Sequence, residues 1–420
     1  MTARSKVLLT VLGIVVLALY SSWGRPLWLD EYLHFVFGGF ASWGEAWAAV
    51  QSSTTNINHG QTGFYIMLDY GLLQVFGANL FALRLPSLIS GALLLYSVAL
   101  FLRRKNLGAV AIAAGFLLLA AQPNLMYFIG EARPYMPMAA SAMAALAYFS
   151  SSAEQRATTP MRLFIWATML WGALMMPYYQ VYLPVIAVVC FVIARERWGV
   201  RTFSHFINVP LQITSAVIGV VIGALTWLRG SPSFQRDPWL IIRPLVDSLS
   251  PLHYLAGLVV LALFVFTVWR GRANVTGPVF LFVVMGLLAA LFAALSLVQN
   301  YWILPRQFIA SQAIMTVAIV WGIGLSVKAI PGKTKTVLAV TYGLVIVIGF
   351  GRASLLQIEH MSDWENNGYP IAGKPGEAVI VGIDVGPANQ NALQGGPVWE
   401  ELTVIYDEPR FGPGEDPRQP

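Results

Sequence analysis

Charge is scarce in this chain. Of 420 residues only 11% are Asp, Glu, Lys or Arg, while 57% are hydrophobic. A soluble globular chain carries about 25% charged residues. The deficit leaves most of the apolar surface with no water to face, so the composition excludes a soluble enzyme and specifies a polytopic membrane protein. Cysteine is nearly missing as well. The single one, Cys190, falls in an apolar run; it makes no intramolecular disulfide and no cysteine-based metal site, and it says nothing of redox compartment. There is no Walker loop, no His-Glu-x-x-His and no dinucleotide glycine fingerprint; the glycines of 382–396 lack the needed spacing. No internal repeat is visible, so there is no sign of the duplicated halves common in secondary transporters. No small-residue cleavage site follows the first apolar run, Val7–Tyr20. Trp23, Arg25 and Pro26 stand there instead, and the run reads as an uncleaved first span.

What the chain has is a series of apolar runs. They are Val7–Tyr20, Leu85–Leu102, Ala109–Ala121, Tyr135–Phe149, Leu163–Met176, Leu183–Ile193, Val209–Leu228, Leu252–Val268, Val279–Val298, Phe308–Val327 and Val337–Phe350. Read as membrane spans they make about eleven helices. The net charge of +6 is no nucleic-acid signal, because the basic residues sit mostly in short loops. Arg103-Arg104-Lys105, Arg195, Arg197, Arg201, Arg270 and Arg272 fall on one side. The positive-inside rule makes that side cytoplasmic and puts the N-terminus with it. Asp30, Glu31, Glu45, Asp69, Glu131, Asp237 and Asp247 then all lie outside.

Residues 29–84 form a long first outer loop. Phe64–Phe76 is too short to span and is interrupted by Asp69 and Gln74. It is expected to lie along the interface, with Tyr65, Tyr70 and Phe76 as anchors; the outer half of a tilted span is the alternative. Ala41–Val50 is read the same way, with Trp43 and Trp47 one turn apart. After Phe350 glycine, proline and acids accumulate. The chain therefore divides into a transmembrane domain, 1–350, and a small outer-face region, 351–420. Two strands are expected in that region, Glu377–Val385 and Val398–Tyr406, followed by a disordered end.

Four polar clusters share the outer side. They are Asp30-Glu31 with His34; Asn58-His59-Gly60-Gln61; the stretch from Tyr127 to Tyr135 containing Glu131 and Arg133; and Tyr301-Trp302 with Pro305-Arg306. Each has a plain reading: a solvated loop, a loop histidine, a Glu131–Arg133 pair neutralising itself, a flanking arginine. Together they make chemical sense. A carboxylate serves as general base toward an acceptor hydroxyl or amine. Arginine stays charged and forks onto phosphate oxygens, which stabilises a phosphate as it leaves. Tyr127, Tyr135, Tyr301 and Trp302 offer rings that stack on a sugar or anchor at the interface.

At these residues the chain resembles the integral-membrane glycosyltransferases of the GT-C class. More narrowly it is similar to the bacterial branch that includes protein O-mannosyltransferases, lipid A aminoarabinose transferases and rhizobial lipid A galacturonosyltransferases. Trp28-Leu29-Asp30-Glu31 resembles that family's acidic pair in the first outer loop. Asn58-His59 followed by Phe64-Tyr65 resembles its His-Pro-Pro-hydrophobic-Tyr stretch, with Gly60-Gln61 in place of the two prolines. Phe81-Ala82-Leu83-Arg84-Leu85-Pro86-Ser87 matches the opening of its second span. Glu131-Ala132-Arg133-Pro134-Tyr135 resembles its Glu-Ala-Arg-x-Tyr motif, Pro305-Arg306 a later Pro-Arg, and Asp363-Trp364 an Asp-Trp beyond the membrane. Pro177-Tyr178-Tyr179 replaces the His-Tyr pair common in related chains.

The resemblance implies an all-α, GT-C-like membrane protein with interfacial helices in its first outer loop and a small C-terminal outer appendage. It implies transfer of a hexose or pentose from a polyprenyl-phosphate donor to a lipid, glycan or protein acceptor, with inversion, at the periplasmic or extracellular side of a bacterial inner membrane. Asp30 is the expected base and Glu31 the residue that orients it or the acceptor. Arg133 and Arg306 are the expected phosphate ligands; His59, Tyr127, Glu131, Tyr135 and Tyr301 complete the substrate-binding set. A divalent metal on Asp30 and Glu131 is compatible with the acids but not required. The rival class is a transporter or flippase for a lipid-linked or anionic substrate. Against it, charges inside the spans are nearly absent, whereas transport paths place polar groups near the midplane. A non-catalytic scaffold explains the clusters no better.

Overall fold

A computed structural model describes residues 31, 34, 35, 38, 40, 42–53, 63–77, 80–176, 179–198, 217, 221, 262, 264–266, 268–270, 274–299 and 305–367. The described elements are helices: α1 (Trp43–Ser53), α2 (Phe64–Phe76), α3 (Leu80–Arg104), α4 (Ala109–Ala120), α5 (Pro123–Ile129), α6 (Tyr135–Phe149), α7 (Ala153–Ala157), α8 (Thr159–Met175), α9 (Tyr179–Trp198), α10 (Thr276–Gln299), α11 (Ile309–Ala329) and α12 (Lys333–Asn367). A 3-10 turn, Pro305–Phe308, leads into α11. Among them α3, α10, α11 and α12 each contain a stretch long and apolar enough to cross a membrane; α2, α4, α6 and much of α9 are shorter apolar helices. The protein is an integral membrane protein. The expected spans Val7–Tyr20, Val209–Leu228 and Leu252–Val268 lie wholly or mostly outside the described residues, as do both expected C-terminal strands. The last apolar run is part of a helix that continues past Phe350 to Asn367.

The bundle is built on α6. Every one of its residues is buried, and α3, α8, α9 and α11 all pack on it. Its sequence explains this position. Ala139, Ala140, Ser141, Ala142, Ala144, Ala145 and Ala147 keep its surface shallow, so neighbouring backbones approach closely, as small residues allow between membrane helices. At the contact with α8, a Cβ on Gly172 would lie 2.6 Å from the Cβ of Ser141. Only glycine fits there. Ser141 Oγ donates across the same contact to the carbonyl of Thr168 at 2.6 Å. α10 and α12 leave Val283, Leu287, Val340, Leu344 and Ile348 exposed. In a membrane protein those are faces for lipid.

The first outer loop is helical where it is described. α2 is bounded by Gly63 and Gly77 at φ 73° and 76°, a backbone region that glycine adopts without strain. At thirteen residues α2 is too short to cross a bilayer. Its expected anchors divide. Phe76 is exposed, but Tyr65 and Tyr70 are buried at 1% and 5% exposure. Tyr65 is pulled inward by a hydrogen bond to Ser87 of α3, and Tyr70 by packing with Ala46, Ile66 and Met67. Reading both tyrosines as interface anchors was an error that tertiary contacts correct. Trp43 and Trp47 on α1 are exposed, as the interfacial reading expects.

Candidate active site

Arg84 sits in the second turn of α3 and is 1% exposed. A guanidinium buried there needs a partner, because an uncompensated charge out of water costs several kcal/mol. The partner is Glu31. Arg84 Nε donates to Oε1 at 2.9 Å and Nη2 to Oε2 at 3.0 Å, a two-pronged charge-assisted pair. Glu31 Oε1 accepts a third bond, from the backbone N–H of Ala132 at 2.9 Å. One carboxylate thus ties together three segments that are remote in sequence: the start of the first outer loop, the head of α3, and the turn between α5 and α6.

That turn is residues 130–134, all buried. It closes on itself through Arg133 N–H to the Glu131 carbonyl, 2.8 Å. Ser87 Oγ donates to the Arg133 carbonyl at 3.1 Å, so its remaining capacity is to accept from Tyr65 Oη, 2.8 Å away. The Arg133 guanidinium lies 5.6 Å from the Tyr135 ring centroid, with Nη2 3.5 Å from the phenol oxygen. Tyr127, Phe128 and Tyr135 stack edge to face at 5.2 and 5.1 Å; Tyr127 is half-buried and Tyr135 buried.

A second polar pair lies beside the first. His34 Nδ1 is 2.7 Å from Asp69 Oδ2, and both side chains are fully buried. His34, three residues beyond Glu31 in the sequence, packs edge-on to Tyr65 at 5.4 Å. Burial lowers the His34 pKa well below its ordinary value, and Arg133 lowers it further. Burial raises the Asp69 carboxyl well above the usual range; Glu31 raises it too, while Arg133 opposes the rise. The Tyr65 phenol is also pushed up, chiefly by burial and next by Asp69.

The expected site residues fall as follows. Glu31, Glu131, Arg133 and Tyr135 come together in one buried cluster at the head of α3 and α6, with Tyr127 at its edge. Asp30, His59 and Tyr301 lie outside the described residues, and Arg306 is described only as part of its 3-10 turn. Among the described residues no group of three or more His, Cys, Asp and Glu side chains is arranged to hold a metal. Glu31 is engaged by Arg84 and Asp69 by His34; of the expected metal pair, Asp30 and Glu131, the first lies outside the described residues. Neither Arg84 nor Asp69 was among the expected site residues. The available signal was the same for both: a charged residue within an apolar stretch, at Phe81–Ser87 and at Phe64–Phe76.

Among the solved structures that resemble this one are two with TM-scores above 0.5. Both are of ArnT from Cupriavidus metallidurans, the lipid A aminoarabinose transferase, a GT-C protein. The apo form aligns with a TM-score of 0.54 at 18% identity, covering 80% of this chain and 62% of that one. The form bound to undecaprenyl phosphate aligns at 0.58 and 15% identity, covering 87% and 79%. The fold is GT-C-like. At these identities the likeness establishes the fold, and in the apo comparison this GT-C-like chain spans less than two thirds of its neighbour. No protein-family model matches the sequence, and no curated protein matches it in sequence.

Proposed function

We propose that this protein is a glycosyltransferase that moves a sugar from a polyprenyl-phosphate donor to a lipid, glycan or protein acceptor, at the outer face of a bacterial inner membrane. The observation that carries the reading is the Glu31 clamp. A carboxylate held by Arg84 and by Ala132 N–H is a poor proton acceptor, because both oxygens are engaged as an ion pair. Its value is geometric: it fixes Glu31, the sequence neighbour of Asp30, against the 130–134 turn. Preorganisation of this kind supplies much of a transferase's rate. The GT-C-like fold supports the same reading, since an ArnT structure of that fold holds undecaprenyl phosphate.

Asp30 is then the general base toward the acceptor nucleophile. The nucleophile attacks the anomeric carbon, the bond to the lipid phosphate breaks, and the configuration inverts. Arg133 and Arg306 neutralise the departing phosphate; His59, Tyr127, Glu131, Tyr135 and Tyr301 bind sugar or lipid phosphate. Glu31 positions Asp30. The catalytic unit is residues 1–350, with 351–420 as an outer-face appendage.

The test uses the full-length protein in membranes with labelled polyprenyl-phosphate sugars. Label reaching a lipid, glycan or protein fraction, and lost with Asp30→Asn, supports the transferase. Label that crosses the membrane still attached to its lipid supports a flippase and overturns it.

A further inference from the structure

The cluster at the head of α3 has one carboxylate too many among its described residues. Among its described residues the formal charges of Glu31 and Glu131 match those of Arg84 and Arg133, which leaves Asp69 and His34 over. Both are fully buried and bonded to each other at 2.7 Å. Among the described residues His34 Nε2 and Asp69 Oδ1 have no hydrogen-bond partner. The one bond they make can be formed in two ways. Either a protonated Asp69 donates to Nδ1, or Nδ1–H donates to an ionised Asp69. The two forms differ by one proton and need no movement of heavy atoms. Burial favours a neutral His34, and beside it an ionised Asp69 would carry a charge unmatched among the described residues of a dry site, which is costly; with Asp69 protonated their formal charges balance.

We propose that Asp69 and His34 are positioning residues, a buried pair that holds one proton and in that form docks the Glu31 segment onto α2. The inference rests on the transferase reading for its role, though not for the pair itself. Glu31 is only three residues from His34 in the sequence, so a shift of the pair is passed to the clamp. The groups that bear on the pair from each packed element are Glu31 from its own segment, Tyr65 from α2, Arg84 from α3, and Glu131 and Arg133 from the 130–134 turn.

The pH signs follow from the directions of shift. Asp69 is raised, so the stabilisation from its protonated form is present at low pH and is lost as the pH rises through its folded value. His34 is lowered, so its contribution is complete above the ordinary histidine value of about 6.5 and is lost as the pH falls below that. Loss on the acid side therefore belongs to His34 and loss on the alkaline side to Asp69.

Two measurements on the purified full-length protein test this. The first is the infrared band of a protonated carboxyl at neutral pH, which needs no substrate. It should be present in the wild type, be absent from Asp69→Asn, and vanish as pH rises; a wild type with no such band overturns the pair, whether or not transfer is ever detected. The second is the pH profile of transfer from a labelled polyprenyl-phosphate sugar. Asp69→Ala should lower kcat about 10²-fold, the size expected of a displaced catalytic segment, with KM for the donor little changed. Asp69→Asn, whose amide N–H donates to Nδ1 as the protonated acid does, should recover most of that loss and flatten the alkaline limb. If Asp69→Asn is as poor as Asp69→Ala, or keeps the wild-type alkaline limb, the pair does not position by its proton and the proposal fails. Absence of transfer in every form, with the infrared band present, sinks the transferase reading and leaves the pair standing.

Discussion

Helix α3 carries a buried or half-buried arginine near each end, and the two do different things. Arg84 and Arg104 are roughly 30 Å apart along the helix axis at 1.5 Å per residue. Arg104 reaches the C-terminus of α6, donating to the Ala147 carbonyl at 2.6 Å and to Ser151 Oγ. Arg156 joins it from α7, donating to the carbonyls of Phe149 and Ser151 at 3.3 and 2.9 Å. All are neutral acceptors, the Ala147 and Phe149 carbonyls being among those a helix end leaves unfilled, and cations there also meet the negative end of the helix dipole. Arg84 instead meets a carboxylate from a separate part of the chain, with water excluded. One end finishes a helix. The other joins three segments and orders a site. The lesson is that partner charge and sequence distance distinguish a capping arginine from an organising one, where burial alone does not.

The comparison is broken most severely at Arg84. Arg84→Met takes the two-pronged ion pair from the buried Glu31, which costs about 3–5 kcal/mol, measurable by thermal unfolding in detergent, and transfer should disappear. The double replacement Glu31→Leu with Arg84→Met removes both charges and should recover most of the stability while remaining inactive. An active double variant would show that the clamp orders nothing of functional value.

Next in size is Asp30→Asn. The amide is nearly isosteric, so folding and donor binding should survive while the transfer rate falls by about 10²–10⁴-fold. Near-normal turnover would remove Asp30 as the base; the engaged carboxylate of Glu31 is poorly placed to replace it.

Arg306→Ala should weaken donor binding as well as turnover, by roughly 1.5–3 kcal/mol for the loss of a charged hydrogen bond. A change in kcat with donor KM untouched would exclude Arg306 from the phosphate.

The smallest effect is expected at the other end of α3. Arg104→Met should cost about 1 kcal/mol of stability, since solvent can reach part of the freed α6 terminus, and should leave transfer unchanged. If Arg104→Met abolished transfer as Arg84→Met is expected to, the two ends would not differ as described.

Membrane character and most helices were legible along the chain. The run Tyr135–Phe149 is α6 residue for residue, and Leu85–Leu102 and Phe308–Val327 fall within or against the ends of α3 and α11. This worked because spanning a bilayer demands local apolar length, a property of consecutive residues. Site recognition was partial for the complementary reason. Asp30, Glu31, Glu131 and Arg133 stand in compact motifs that a linear reading finds. Arg84 and Asp69 stand alone in apolar stretches, and their roles depend on partners 53 and 35 residues away.

The sequence by itself therefore determined the environment, the helical architecture of the described residues and the acids and arginines available for chemistry, because the cost of exposing backbone and charge to lipid is settled within each segment. Only the tertiary structure decided which charge each of those groups meets. Tyr65 was drawn from the interface into the core, Glu31 was bound by Arg84, and His34 was set against Asp69. Electrostatic energy in a dry interior depends on distances of a few ångströms between segments, and the order of residues along a chain does not contain those distances.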